Sequence, residues 1–173
     1  MTSSAVPLID YRASGRIFNL QRYSLNDGAG IRTLVFFFFF LLHCPWCSIP
    51  ESRSRTTVFV RREARCLHCE TCEQDVVECP SGAYQAMGVD YTLDELLREI
   101  MKDEVFYRAS GGGVTLSGGE VLGQAAFATQ LLKKLKNWGI STAIETTVHG
   151  QPAALLELAR YCDHVLYDFK IMD

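Results

Sequence analysis

The sequence predicts an α/β fold, with a parallel sheet whose strands alternate with helices and one small cysteine-rich insert. Two observations predict it. From residue 92 onward, apolar strand-like runs alternate with amphipathic helical patterns, which favours right-handed crossovers between parallel strands. Between residues 58 and 88 the composition shifts to basic residues and four cysteines, which indicates an insert. With 173 residues and 48% hydrophobic content, the chain can form one core.

Composition and charge exclude several function classes. The net charge of −3, with 17 scattered lysines and arginines, offers no basic surface for nucleic acid. The longest apolar run, 34–42, is too short to span a bilayer, and the first thirty residues hold no apolar signal segment. We therefore expect a cytoplasmic protein without a membrane partner.

Before the insert, the sequence predicts an N-terminal arm, two strands with a loop between them, and a cysteine motif after the second strand. Residues 1–14 are polar and unpatterned, which indicates a loose arm. A short strand is expected over 15–20, followed by a turn-rich loop in "SLNDGAGIRT". Leu34–Phe37 is expected to be a buried strand, and "CPWC" follows it.

The second half is predicted to alternate helix and strand. "TLDELLREIMKDEVFYR" reads as one helix, with Thr92 and Glu95 as a capping box. A strand follows in "GVTLSGGE", then a helix that Gly139 ends. The last elements are a strand in "ISTAIETT", a helix beginning near Pro152, and a strand in "HVLYDFKIM".

Each predicted parallel strand ends in polar or glycine residues: "CPWC", "SGGE", "ETT" and "DFK". Because the carboxyl ends of parallel strands meet at one edge of a sheet, these four ends are expected to form one site. Gly118 and Gly119 would let a ligand approach the main chain, and Glu120 could pair with a cationic ligand.

Seven cysteines, an odd number at metal-like spacings, are a poor disulfide framework. Cys162 stands alone in an apolar segment and is expected to be a buried hydrophobic residue. The pair in "CPWC" is compatible with a redox dithiol, a zinc half-site or an iron–sulfur loop, and its position after a strand favours the last. Four further cysteines have spacings that resemble a ferredoxin cluster motif, with a structural zinc knuckle as the alternative: Cys66, Cys69, Cys72 and Cys79, which precedes Pro80.

Six motifs together resemble one family. "GRIFNLQRYSLNDGAGIRT", "CPWC", "IPES", "FYRASGGGVTLSGGE", "IETT" and "DFKIMD" occur in the order found in glycyl-radical enzyme activating enzymes of the pyruvate formate-lyase activating type. These enzymes belong to the radical S-adenosylmethionine superfamily. The resemblance implies a truncated (β/α) partial barrel of radical S-adenosylmethionine type with a small ferredoxin-like 4Fe–4S insert.

The resemblance implies a cofactor, a reaction and partners. A 4Fe–4S cluster held by three thiolates would bind S-adenosylmethionine, whose reductive cleavage leads to hydrogen abstraction from a glycine of a formate C-acetyltransferase-like partner. Flavodoxin or ferredoxin is the implied electron donor. Cys44 and Cys47 are the implied ligands of this cluster, and Cys66, Cys69, Cys72 and Cys79 those of an auxiliary one. The implied cofactor-binding residues are Trp46, Cys47, Ser48, Gly118, Gly119, Glu120, Glu145, Thr146, Thr147, Asp168, Phe169 and Lys170.

The resemblance also divides the chain into regions. They are the arm at 1–14, the first barrel strand and cluster loop at 15–57, the ferredoxin-like insert at 58–88, and the remaining βα units at 89–173.

The sequence departs from the family pattern in the cluster loop. Phe40 stands where the third cluster cysteine is expected, so two thiolates remain. Phe39 replaces a glycine, and we expect the positive φ of that position to be lost. Three interpretations stay open: an activating enzyme, a non-catalytic 4Fe–4S protein that transfers electrons or binds a partner, and a defective fragment.

Overall fold

The computed structural model describes residues 9–39, 42, 44–47, 50–54, 58–69 and 79–170. Its helices are α1 Leu93–Met101, α2 Glu104–Ser110, α3 Ala125–Asn137 and α4 Pro152–Ala159. Its strands are β1 Ser14–Ser24, β2 Arg32–Phe37, β3 Val58–Arg61, β4 Tyr84–Met87, β5 Val89–Thr92, β6 Gly113–Gly118, β7 Ser141–Thr146 and β8 His164–Tyr167. The longest helix, α3, has 13 residues. Within the described ranges, no helix has the length and apolar character that crossing a bilayer requires.

The main sheet has six strands in the order β5-β1-β2-β6-β7-β8. Strands β2, β6, β7 and β8 are parallel, as the sequence predicts, and their carboxyl ends lie at one edge. The other two strands extend the sheet in the antiparallel sense, because β1 pairs with both β2 and β5. The predicted short strand at 15–20 is in fact the eleven-residue β1. The result is a mixed α/β fold built on a parallel sheet.

The core lies between this sheet and the helices. Strands β2 and β6 run through the middle of the sheet, and Val35, Phe37, Val114 and Leu116 are fully buried. Helix α3 packs its Leu131 and neighbouring apolar residues against them. Cys162 packs against this core but is only partly buried, whereas the sequence predicts a buried residue. Burial raises the pKa of its thiol to about 12.

The prediction of a single helix after Thr92 is wrong, because the structure has two helices there, α1 and α2. The capping box between Thr92 and Glu95 is present at the start of α1, as predicted. However, α1 ends at Met101, and Asp103 precedes α2. The carboxylate of Asp103 accepts hydrogen bonds from Arg22 at 2.6 Å and from Thr33 at 2.8 Å. These bonds tie the break to β1 and β2, which helical periodicity alone does not reveal.

The cysteine-rich region begins and ends in a small separate sheet. Strands β3 and β4 pair antiparallel, with Val58 opposite Met87. Strand β5 follows immediately and returns the chain to the main sheet beside β1. Ile9 and Ala13, at the end of the predicted loose arm, pack against the core. Residues 1–8 lie outside the described residues.

Candidate functional site

A cavity of about 280 Å³ lies where the parallel strands end. Its size is close to the lower end of the range for small-molecule sites. The parallel register aligns the strand ends, with Phe37 opposite Gly118 and Thr146 opposite Tyr167. Ten of the sequence-predicted residues line the cavity: Cys44, Trp46, Cys47, Gly118, Gly119, Glu145, Thr146, Thr147, Asp168 and Lys170.

The cysteine pair enters the cavity from the loop after β2. Cys44 is buried and Cys47 is partly buried. The two residues bound a tight turn, because the Cys47 N–H donates to the Cys44 carbonyl at 3.2 Å. Arg53 also donates to that carbonyl, which connects the turn to the short 3-10 helix Pro50–Arg53. Phe40 and Ser48, two further residues of the predicted loop, lie outside the described residues.

The Gly118-Gly119 pair brings β6 and the cluster loop together. Gly118 has a φ of +103°, and a Cβ atom there would lie 2.5 Å from the backbone nitrogen of Phe37. A Cβ atom on Gly119 would lie 2.4 Å from the carbonyl oxygen of Phe39. Glycine is therefore required at both positions for the close approach of two backbones. The sequence predicts this approach for a ligand, whereas the close neighbour in the structure is the chain itself.

Charged groups line the opposite wall of the cavity. Asp168 and Lys170, directly after β8, form an ion pair. Burial alone would lower the pKa of Lys170, but the hydrogen bond and charge of Asp168 outweigh it, and the pKa is raised. On β7, the Glu145 carboxylate accepts a hydrogen bond from Ser117. Two carboxylates and one ammonium group thus face the space beside the thiols, and such groups suit a zwitterionic ligand.

Two predicted cofactor-binding residues do not line the cavity. Glu120 is only 1% exposed, and its carboxylate accepts hydrogen bonds from the hydroxyls of Thr146 and Thr147, both at 2.6 Å. It also accepts from the Thr147 N–H at 3.0 Å. Glu120 therefore holds the end of β7 in place. Phe169 is 65% exposed, and its ring packs on Tyr167 instead.

Three lining residues were missed by the sequence reasoning: Phe36, Ser52 and Ser117. Ser52 lies in the "IPES" motif, but that motif alone indicates no role for it. Phe36 and Ser117 lie directly opposite each other in β2 and β6. Their position near the carboxyl ends of parallel strands is the signal that could have identified them.

Phe39 adopts the conformation that glycine would adopt. Its φ is +93°, in the region that residues with a side chain rarely occupy. The expectation that phenylalanine would lose this conformation is therefore wrong. Its N–H donates to the Ser52 carbonyl at 2.8 Å, and its carbonyl accepts from the Glu120 N–H at 2.7 Å. These bonds on both sides fix the peptide orientation despite the side chain.

The lining residues of the cavity fit one of the two implied cofactors, S-adenosylmethionine, better than the other, a 4Fe–4S cluster. Its glycine backbone, hydroxyls and paired charges fit the amino-acid portion of S-adenosylmethionine. For a cluster, the described lining residues provide the two thiolates of Cys44 and Cys47. Residue 40, where a third is expected, is phenylalanine, which has no ligand atom. The lining therefore fits S-adenosylmethionine, but it does not supply the three thiolates of the implied cluster.

The second cysteine group is partly described. Cys66 and Cys79 are partly exposed and Cys69 is exposed. Hydrogen bonds from Ser81, from Tyr84 and from nearby backbone lower the pKa of Cys79 to about 7, which favours its thiolate. Cys72 lies outside the described residues.

Comparison with known proteins gives two results. Residues 26–166 match the family described as a 4Fe–4S single cluster domain. The chain is 61% identical to pyruvate formate-lyase 2-activating enzyme of Escherichia coli strain K12 over 91% of its length, which covers 54% of that relative. It is 37% identical to (2S)-3-sulfopropanediol sulfolyase activating enzyme of Bilophila wadsworthia over 96% of its length and 65% of the relative's.

A third relative is trans-4-hydroxy-L-proline dehydratase activating enzyme of Clostridioides difficile, with 36% identity over 91% of this chain and 61% of the relative. The chain thus spans between about half and two thirds of the length of these relatives. Their names agree with the family that the six motifs indicated. The chain belongs to the family described as a 4Fe–4S single cluster domain, and it is similar to relatives that are named as glycyl-radical enzyme activating enzymes.

Proposed function

We propose that the chain activates a glycyl-radical enzyme, by reductive cleavage of S-adenosylmethionine and hydrogen abstraction from a glycine of that partner. The single observation that carries the proposal is the cavity at the parallel strand ends, which brings both CPWC cysteines together with the glycine pair and the charged residues. Similarity to relatives that are named as activating enzymes supports the same reaction.

The proposed cofactor-binding roles follow from the cavity lining. Trp46, which is 63% exposed, would cover the bound cofactor from the loop side. Gly118 and Gly119 would offer backbone groups to the methionine amino end, and Asp168 and Lys170 would bind its charged groups. Glu145, Thr146 and Thr147 would line the ribose side. A 4Fe–4S cluster, when bound, would supply the electron for cleavage.

The altered loop favours a second candidate function. Because Phe40 cannot bind iron, the chain would assemble only the cluster of Cys66, Cys69, Cys72 and Cys79 and would transfer electrons or bind a partner without cleaving S-adenosylmethionine. The observation behind this candidate is the pair of thiolates at the cavity where the implied cluster needs three.

The wider architecture is also part of the proposal. We expect residues 15–57 and 89–173 to form a partial barrel of radical S-adenosylmethionine type, and residues 58–88 to be a ferredoxin-like insert. The small β3–β4 sheet at the ends of that insert supports the division. The partner would be a formate C-acetyltransferase-like enzyme, the electron donor flavodoxin or ferredoxin, and the compartment the reducing cytoplasm.

Anaerobic reconstitution with iron and sulfide separates the two candidates. An activating enzyme with two clusters is expected to bind about eight irons per chain and to release 5′-deoxyadenosine when reduced with S-adenosylmethionine. About four irons and no 5′-deoxyadenosine would overturn the catalytic proposal for this chain and support the second candidate.

A loop variant provides the matched control. In this variant residues 38–43 are replaced by the family-like sequence Lys-Gly-Cys-Pro-Leu-Arg, which restores a cysteine at position 40. If the missing thiolate is the sole defect, the variant binds about four more irons than the parent chain and cleaves S-adenosylmethionine. A variant that binds no additional iron would show that the cavity does not support a cluster even with three cysteines.

A further inference from the structure

Three metal-ligating side chains outside the cavity come together beside β3. One ligand atom from each of Glu63, Cys66 and His68 can be chosen so that all three lie within 4.8 Å of one another. Glu63 begins the short 3-10 helix Glu63–Arg65, and the Cys66 N–H donates to its carbonyl at 3.0 Å. Residues three apart in a 3-10 turn share a face, so this turn places the carboxylate and the thiol side by side.

His68 is placed by an uncommon backbone conformation. Its φ is +50°, in the left-handed region that residues with a side chain rarely occupy. Its N–H donates to the Sγ atom of Cys66 at 3.4 Å. Hydrogen bonds of this kind commonly support metal ligands. Both features fix His68 against Cys66 before any ion binds.

The carboxylate of Glu63 is also oriented in advance. Arg61 donates from Nε to its Oε1 atom at 2.6 Å. A carboxylate has two oxygens, so this bond leaves an oxygen available for an ion, and ligating carboxylates are commonly hydrogen-bonded in this way. Glu63 and His68 are exposed and Cys66 is partly exposed, so an ion can reach the group from solvent.

We propose that Glu63, Cys66 and His68 form a binding site for one Zn²⁺ ion. Thiolate, imidazole and carboxylate are the ligand types of zinc, and three protein ligands leave one tetrahedral position for water. The ligands carry a combined charge of about −2 when Cys66 is deprotonated, which balances the ion. This site differs from a zinc knuckle, in which the Cys66 and Cys69 thiols of the CxxC pair would be the ligands.

The site is independent of the proposed activation reaction but shares Cys66 with the proposed auxiliary cluster. One thiolate cannot serve both, so zinc and the cluster exclude each other. Glu63 and His68 belong to the zinc site alone, whereas Cys69 belongs to the cluster alone. Substitutions at these three positions therefore test the two assignments separately.

The test is Zn²⁺ affinity, measured by competition with a chromophoric chelator under reducing conditions. Every chain in this test carries C44S and C47S, so that the CPWC thiols do not contribute. The chain with these two substitutions alone is the parent to which the variants are compared. H68A and C66S are expected to weaken zinc binding by about 100-fold or more, because loss of a direct ligand exceeds the usual effect of a supporting residue. E63Q is expected to weaken it by about 10-fold or more, because the amide keeps an oxygen ligand but loses the negative charge. H149A, at an exposed histidine after β7, and C69S should bind zinc as the parent does.

Two results would overturn the proposal. One is a parent chain that binds no zinc at micromolar concentration, and the other is H68A binding as tightly as the parent. Loss of zinc in C69S with retention in H68A would instead support the knuckle. Iron uptake provides the separate readout, because H68A should reconstitute the same iron content as the parent whether or not the activation proposal holds. Replacing Zn²⁺ with Co²⁺ reports the thiolate directly, since its sulfur-to-cobalt absorption should disappear in C66S.

Discussion

The conformation of Phe39 predicts that glycine will be the better residue at this position. A non-glycine residue held at a φ of +93° stores about 1–3 kcal/mol of backbone strain. F39G and F39A both remove the phenylalanine ring, so the loss of ring contacts cancels when the two variants are compared. Glycine alone releases the strain, and F39G should therefore be more stable than F39A by about 1–3 kcal/mol.

The test is specific because glycine should be more stable than alanine at position 39, whereas the opposite order holds in extended backbone. In extended backbone, glycine is less stable than alanine by about 0.5–1 kcal/mol, because its unfolded state has more conformational freedom. Phe36 is the matched control, since it lies in β2 and is also partly buried. F36G should therefore be less stable than F36A.

The free energy of unfolding of the four variants can be measured by urea denaturation followed by circular dichroism. For a chain of this size, 1 kcal/mol corresponds to about 2–4 °C in Tm, so thermal melts provide a second measurement. If F39G were equal to F39A or less stable, the positive φ would not describe the folded chain. The inference that this loop keeps its shape against the preference of its sequence would then fail.

Three further predictions concern the rest of the fold. E120A should destabilise the chain by about 3 kcal/mol in urea denaturation, because it leaves the buried hydroxyl of Thr146 without its acceptor; a change below 1 kcal/mol would contradict this role. T92A should cost about 1 kcal/mol by removing the cap of α1, with T129A, inside α3 where no cap is removed, as the control. Because the Cys162 pKa is raised from 9.0 to about 12, the unfolded state loses its proton first, and stability should fall as pH rises from 9 to 12. C162A should lack that component, and native Cys162 should resist iodoacetamide at pH 8 but react in urea.

Much of the fold could be predicted because local signals and the final structure agree. The Thr92 and Glu95 capping box starts α1, and the apolar runs become buried β2 and β6. The general property that parallel strands end at one edge was enough to predict that four separate motifs would meet. The cavity lining agrees with that prediction at ten positions.

The remaining features depend on partners distant in sequence. The break before α2 depends on Arg22, about eighty residues upstream, which binds Asp103. Strand β1 continues to Ser24 because it pairs along its length with β2. Glu120 resembles a ligand-binding carboxylate in sequence, and only its bonds to Thr146 and Thr147 show its structural role. None of these pairings leaves a periodic signal in the sequence.

In the phenylalanine run, hydrogen-bond partners that are distant in sequence hold a backbone conformation that the residues of the run do not favour. The Phe38 N–H donates to the Arg16 carbonyl at 3.1 Å, and the Phe38 carbonyl accepts from Gln124 at 2.9 Å. Together with the Ser52 and Glu120 bonds of Phe39, every backbone polar group of these two residues has a partner from another segment. The side chain of Phe38 is buried as well, where its ring fills the space beside Gly88. Because these backbone bonds fix the path of residues 38 and 39, a substitution that leaves both side chains in place should not redirect the loop. F40C alone is therefore the matched companion to the variant restored at residues 38–43, because it adds a cysteine and keeps the buried Phe38 ring, so that its iron content reports the added thiolate and not a refolded loop.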